Sequence, residues 1–282
     1  MRITPLTPRL GAEITDIDLR RLDDAAFENL RQCWLDYKVV FLRDQDIDLD
    51  DLLKFSRRFG ELMRLPYIQP LADHPEIIRV LKEADEVNMG VFGGDWHSDF
   101  SFLAAPPSAS ILYAEQIPDV GGDTLWVDMA QALEALPPQQ RQLLQGKFAI
   151  HTGRPYGVTH APQQDEQFRG SIWIERNNPE ADAETRHPAI CRHPDTGASV
   201  LFVNPTYTTR IDGMAAAQSQ QLLASLYRHC TRPEFSCRFK WRPGSIALWD
   251  NRSTLHYAVN DYDGHRRCLY RTSIVGSAPQ PA

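Results

Sequence analysis

Apolar positions recur with a helical period in three stretches and alternate or cluster as short strands almost everywhere else. Between Asp24 and Tyr37, Phe27, Leu30, Trp34 and Tyr37 fall on one face, and Asp23 or Asp24 stands where a cap belongs. The pattern predicts a helix there, a second from Asp48 to Phe59 with Asp48 as cap and Gly60 as stop, and a third from Ala215 to Cys230. Short helices are expected at 128–136 and 139–144, each ended by proline or glycine. Strands are predicted at 39–42, 77–81, 110–115, 124–127 and 147–151, about the turn at Asp195-Thr196-Gly197, and from His256 to Val259. Phe235, Cys237, Phe239 and Trp241 alternate strictly and bury one face; the run Arg266–Val275 reads as the last strand.

Helices cluster early and near 215–230, whereas strands dominate the later two-thirds, with no internal repeat and no clear linker. The expected fold is mainly β with flanking helices: one domain over 1–282, a sandwich or jelly roll with helices packed outside. The polar, aperiodic stretch at about 152–187 is long for a loop and is expected to be a lid or a surface insert.

Charge and cysteines narrow the class. A formal charge of −7 argues against a nucleic-acid surface, and any anionic ligand must be met by locally placed arginines. The five cysteines are scattered and include no C-x-x-C, as in reduced intracellular thiols. No long apolar N-terminal region and no run of 18 apolar residues is present. The expectation is a cytoplasmic protein with a small-molecule substrate and no membrane partner; nothing in the chain forbids a homo-oligomer.

Chemistry concentrates in Gly93-Gly94-Asp95-Trp96-His97-Ser98-Asp99-Phe100. On an extended strand His97 and Asp99 point to the same side, and a second histidine from a distant strand would complete two imidazoles and one carboxylate on one side of a metal. That set suits non-haem Fe(II) with positions left for a co-substrate and O2. His256 is the candidate partner. Arg267 and Arg271, four apart on a predicted strand, share a face with Leu269; two inward arginines require anions.

The motifs His97-x-Asp99, Gly121-Gly122-Asp123-Thr124 and Trp249-Asp250-Asn251-Arg252-x-x-x-His256 followed by Arg267 together resemble the taurine dioxygenase family of Fe(II)/2-oxoglutarate-dependent oxygenases, over nearly the whole chain. The resemblance implies a double-stranded β-helix of cupin-like, jelly-roll type. It implies His97, Asp99 and His256 as iron ligands and Arg267 as the fork that pairs with the distal carboxylate of 2-oxoglutarate. Thr124 is implied as a hydroxyl on that co-substrate, and Arg271 as the group that meets an anionic substrate. The reaction implied is hydroxylation of an unactivated C–H bond of a small sulfonate, sulfate ester, phosphonate or carboxylate, with O2 consumed and succinate and CO2 released. Pro66, Gln69 and Gly93 stand where taurine-type members carry polar substrate ligands, so taurine itself is not implied. Tyr67, Gln69, Asn88, Phe92, Phe102 and Tyr207 are the candidates for lining the pocket. Two rivals use the same metal ligands: a desaturase or epimerase, and a non-catalytic metal-binding jelly roll.

Overall fold

The computed structural model describes residues 1–159 and 170–282. Its centre is a seven-stranded sheet in the order Arg2–Pro5, Ala12–Thr15, Val39–Leu42, Ile246–Asp250, Ala109–Gln116, Arg267–Ile274, Ile78–Lys82. All its pairings are antiparallel except that of Ala12–Thr15 with Val39–Leu42. Facing it, Thr124–Asp128 lies between Ser236–Phe239 and Thr254–Ala258. Two further three-stranded sheets extend that layer: Phe148–His151 between Thr208–Ile211 and Thr185–Pro188, and Ile190–Arg192 between Ser199–Leu201 and Gln280–Pro281. This is the mainly β jelly roll the strand pattern predicts. The pattern misses Gln280–Pro281, a two-residue edge strand that follows the expected last one.

Strand parity decides which side chains enter the space between the layers. On Ile246–Asp250, Ala247 and Trp249 point inward to Phe41, Trp126, Phe239 and Leu269, whereas Ile246 and Leu248 point to the helices. Burying side chains of this size stabilises by roughly 1.5–3 kcal/mol each. The helices Asp24–Tyr37 and Leu49–Arg57 cover the outer face of the large sheet through Leu30, Trp34, Leu52 and Phe55. Their starts are set by Asp23 and Asp48, whose carboxylates accept from Ala26 N and Asp51 N, each cap contributing about 1 kcal/mol. The helix Ala216–Cys230 covers the opposite layer with Leu222, Leu223 and Leu226.

The same parity orients the last long strand. Arg267, Leu269 and Arg271 face the interior; Tyr270 and Ile274 face the helices, and Thr272 is tied to Ser56 at 2.7 Å. The sequence pattern puts the two arginines on one face with Leu269 and leaves open whether that face is the inner one; the structure makes it so, and both are buried.

Candidate active site

His256 lies on Thr254–Ala258 directly opposite Trp126, its ring 4.8 Å from that of Trp249. His97 meets it through reciprocal backbone hydrogen bonds, His97 N to His256 O and His256 N to His97 O. Here the extended-strand reading of His97 and Asp99 needs correction. The contact is a single bridge rather than a ladder, and the chain turns at once, with Phe100 at φ +47°. Asp99 is placed by a side chain instead of a neighbouring strand. Asn251 accepts from Asp99 N at 2.6 Å and from Ser98 Oγ at 3.1 Å, and donates to Asp99 O and Pro107 O, both at 2.9 Å. Replacing Asn251 by alanine strips partners from buried backbone groups, at about 1–3 kcal/mol each. We expect Asn251→Ala to lower the unfolding free energy by at least about 3 kcal/mol and to weaken Fe(II) binding about 10- to 100-fold. Thermal unfolding of metal-free protein and an Fe(II) titration check both; unchanged values would show that the clamp does not position Asp99.

His97 Nε2 stands 3.4 Å from Asp99 Oδ1, and His256 Nε2 3.6 Å from the same oxygen. The three ligand atoms lie within 4.8 Å of one another, and all three residues are buried. Nδ1 of His97 is engaged by Asp95 O at 2.6 Å, which fixes the ring and turns Nε2 toward the carboxylate. Burial pushes His256 well below the usual histidine range, with a further push from His97, and so favours the neutral, ligating form. Burial alone would raise Asp99, but Arg271, His256 and His97 hold its carboxyl well below the ordinary carboxylate range. Two imidazoles and one carboxylate on one side of a point fit Fe(II), with room opposite for further ligands.

The second anion demand is at Arg267. Its Nε donates to Gly122 O at 3.1 Å, and its guanidinium lies 5.8 Å from the rings of both Trp241 and Tyr262. Gly122 sits at φ +68°, and a Cβ there would come within 3.1 Å of Arg267 Cδ, so glycine permits the approach. Arg267 is buried, burial pulls it below its ordinary value, and Nη2 has no hydrogen-bond partner among the described residues. A buried fork with free N–H groups fits a carboxylate. Thr124 is on the inner face two residues before Trp126, with its Oγ1 accepting from Trp241 Nε1 at 2.9 Å, so its own proton remains to donate.

Arg271 departs from its expected place. Its Nη2 pairs with Asp99 Oδ2 at 2.6 Å and reaches Ser110 Oγ at 3.1 Å, and the residue does not line the large cavity beside the metal ligands.

That cavity, about 1450 Å³, is lined by His97, Asp99 and Arg267 among others. Of the expected pocket residues, Phe92 and Tyr207 line it. Tyr67 and Phe102 do not; they pack behind the wall against Tyr156, at 5.1 and 5.9 Å between ring centroids. Gln69 and Asn88 are exposed and are not lining residues. The sequence reading missed Tyr156, whose hydroxyl is 3.3 Å from that of Tyr207, and missed Arg154, Ile172 and Arg176. All four fall in the expected lid segment, whose residues 170–177 do line the cavity; its residues 160–169 lie outside the described residues.

Residues 2–273 match the model of the family described as taurine catabolism dioxygenase TauD, TfdA family. The chain belongs to the TauD/TfdA family. An alkylsulfatase of Acinetobacter baylyi is 33% identical over 279 residues, covering 98% of this chain and 85% of that protein. An alpha-ketoglutarate-dependent sulfate ester dioxygenase of Pseudomonas putida is 34% identical over 286 residues, covering 98% and 90%. Among solved structures, a taurine dioxygenase from Burkholderia xenovorans superposes with a TM-score of 0.81 at 34% identity, covering 99% of this chain and 92% of its own.

As a TauD/TfdA protein, the chain is an enzyme, a dioxygenase dependent on Fe(II), 2-oxoglutarate and O2 that acts on a small molecule. The rival of a non-catalytic metal-binding jelly roll is thereby set aside. No helix among the described residues is long and apolar enough to cross a membrane.

Proposed function

We propose that this TauD/TfdA enzyme hydroxylates the carbon next to the ester oxygen of an alkyl sulfate. In this reading His97, Asp99 and His256 hold Fe(II), and Arg267 and Thr124 receive the distal carboxylate of 2-oxoglutarate. The bound metal with 2-oxoglutarate and O2 supplies the oxidising chemistry, and succinate and CO2 are released. The protein's own work is placement: Asn251 and Arg271 fix the Asp99 carboxylate, Asp95 fixes the His97 ring, and Phe92, Phe100 and Ile172 present an apolar wall to the substrate chain. A hydroxyl placed on a carbon that already bears the sulfate oxygen makes an unstable adduct. Its C–O bond to sulfate breaks, the hydroxyl proton leaves, and aldehyde and inorganic sulfate result.

The supporting observation is that two relatives matching 98% of the chain carry sulfate-ester names; the family resemblance adds that Pro66, Gln69 and Gly93 fall where taurine-type members would carry polar substrate ligands. The test is succinate release, with Fe(II) and 2-oxoglutarate, across butyl to octyl sulfate, the matching sulfonates, taurine and phenoxy carboxylates. We expect the alkyl sulfates to turn over fastest, with aldehyde, sulfate and succinate in equal amounts, and taurine to be idle. Alkyl sulfates inert beside an active sulfonate or carboxylate would overturn the assignment; an alkene or an epimer in place of aldehyde would move the enzyme to desaturation or epimerisation.

A further inference from the structure

Tyr156 and Tyr207 both line the cavity, each is only 3% exposed, and their hydroxyl oxygens are 3.3 Å apart. Two phenols carry two protons. The hydrogen bond between them uses one, whichever way it runs, and neither hydroxyl has another partner among the described residues. One buried O–H is left over, and a buried donor without an acceptor is unfavourable until something in the cavity accepts from it. Burial pushes the Tyr156 phenol up to about 12 and Tyr207 well above the ordinary tyrosine range, so at neutral pH both stay protonated.

The pair stands at the metal end of the cavity. The Tyr207 ring meets the His97 ring edge to face, with 6.3 Å between centroids, and both phenols lie within electrostatic reach of Asp99 and Arg271. The rings are fixed from behind: Tyr156 stacks on Tyr67 at 5.1 Å and on Phe100 at 5.8 Å, and Tyr207 packs on Phe102 at 5.0 Å. Their backbones are tied as well, Tyr207 N donating to Asn204 Oδ1 and Tyr156 N to Gly153 O, both at 2.8 Å. Donors held in this way lose little freedom when a ligand arrives. Acidic side chains line the same cavity, Asp95, Glu86 and Glu175 among them. A phenol donates to an oxyanion with no charge of its own, so it does not need those carboxylates to be cancelled.

We propose that the Tyr156–Tyr207 hydroxyl pair is a neutral hydrogen-bonding subsite for the substrate, giving its spare proton to an oxygen of the sulfate group beside the metal ligands. The inference rests on the alkyl sulfate reading. It adds an uncharged donor at the same end of the cavity as Arg271, the charged group that the family resemblance implies for the anion, and leaves that implication in place. One hydroxyl binds the substrate and the other aims it. A hydrogen bond to a charged acceptor is roughly twice as strong as one between neutral groups, so a single phenol proton has a measurable effect.

The test is calorimetric titration of hexyl sulfate into anaerobic protein loaded with Fe(II) and 2-oxoglutarate, with the 2-oxoglutarate affinity of each variant measured in parallel. Phenylalanine at both positions, Tyr156→Phe with Tyr207→Phe, keeps the rings and removes every donor, and should weaken hexyl sulfate about 10-fold or more. Each single variant retains one hydroxyl and should lose less. Fe(II) and 2-oxoglutarate should bind within about two-fold of wild type in all three, because neither hydroxyl is bonded to the metal ligands or to Arg267. Should the double variant fail to load iron, the single variants decide, and a selective loss of hexyl sulfate in neither would overturn the subsite. Equal hexyl sulfate affinity in wild type and the loaded double variant would overturn it too and leave the alkyl sulfate reading standing, as would a loss of 2-oxoglutarate affinity as large as that of hexyl sulfate. Loaded wild-type protein that does not bind hexyl sulfate would overturn both.

Discussion

Asp99→Ala will abolish substrate-dependent succinate formation and weaken Fe(II) binding by at least about 100-fold, beyond the range seen when only a supporting residue is lost. The substitution removes the one anionic ligand atom that both imidazoles approach, at 3.4 and 3.6 Å. It has a second cost that a mere pocket residue would not carry. Arg271 loses a 2.6 Å ion pair while remaining buried, and breaking a buried pair in this way costs about 3–5 kcal/mol. Metal-free Asp99→Ala protein should therefore unfold at a clearly lower temperature than metal-free wild type. Calorimetric unfolding and an anaerobic Fe(II) titration read the two effects separately. Retained iron affinity would refute the ligand assignment; unchanged stability would refute the role of Asp99 as counter-ion to Arg271.

Arg267→Ala will leave Fe(II) bound and raise the dissociation constant of 2-oxoglutarate about 10- to 100-fold, the expected loss for a charge-assisted fork of about 1.5–3 kcal/mol. The buried guanidinium with an unpartnered Nη2 is the physical ground: that arrangement is unfavourable until an anion arrives. Arg267→Lys should recover only part of the affinity, because an ammonium cannot offer two parallel donors. Titration of 2-oxoglutarate into anaerobic Fe(II) protein checks this, and a variant that binds 2-oxoglutarate like wild type would remove Arg267 from the site.

The sequence made the frame legible where local chemistry and periodicity agree. The helix Asp24–Tyr37 is read to the residue because Phe27, Leu30 and Trp34 repeat on one face behind an aspartate cap. Strand parity places Arg267 and Arg271 on one face with Leu269, and the packing of the sheet decides that this face is the inner one. The motif order brought His97, Asp99 and His256 together before any coordinates. What stayed hidden depends on tertiary partners. The 97–99 segment is a turn rather than a strand because Asn251, 152 residues from Asp99, supplies the hydrogen bonds a neighbouring strand would give. Arg271 pairs with Asp99 across the interior, a choice no spacing reveals. Arg154, Tyr156 and Arg176 sit in an aperiodic stretch where no pattern marks which side chains turn inward. Gln69 and Asn88 were drawn from loops near the motif, and nearness in sequence did not put them on the cavity wall.

The central claim is that three distant side chains share one ferrous ion beside a guanidinium that grips a keto-diacid. Its most direct test is the visible absorption of anaerobic wild-type protein carrying one equivalent of Fe(II) as 2-oxoglutarate is added. The account predicts a weak charge-transfer band that saturates at one equivalent, is absent in Asp99→Ala, and needs a higher 2-oxoglutarate concentration in Arg267→Ala. No band in the wild type, or full turnover in the presence of a chelator without added iron, would contradict it.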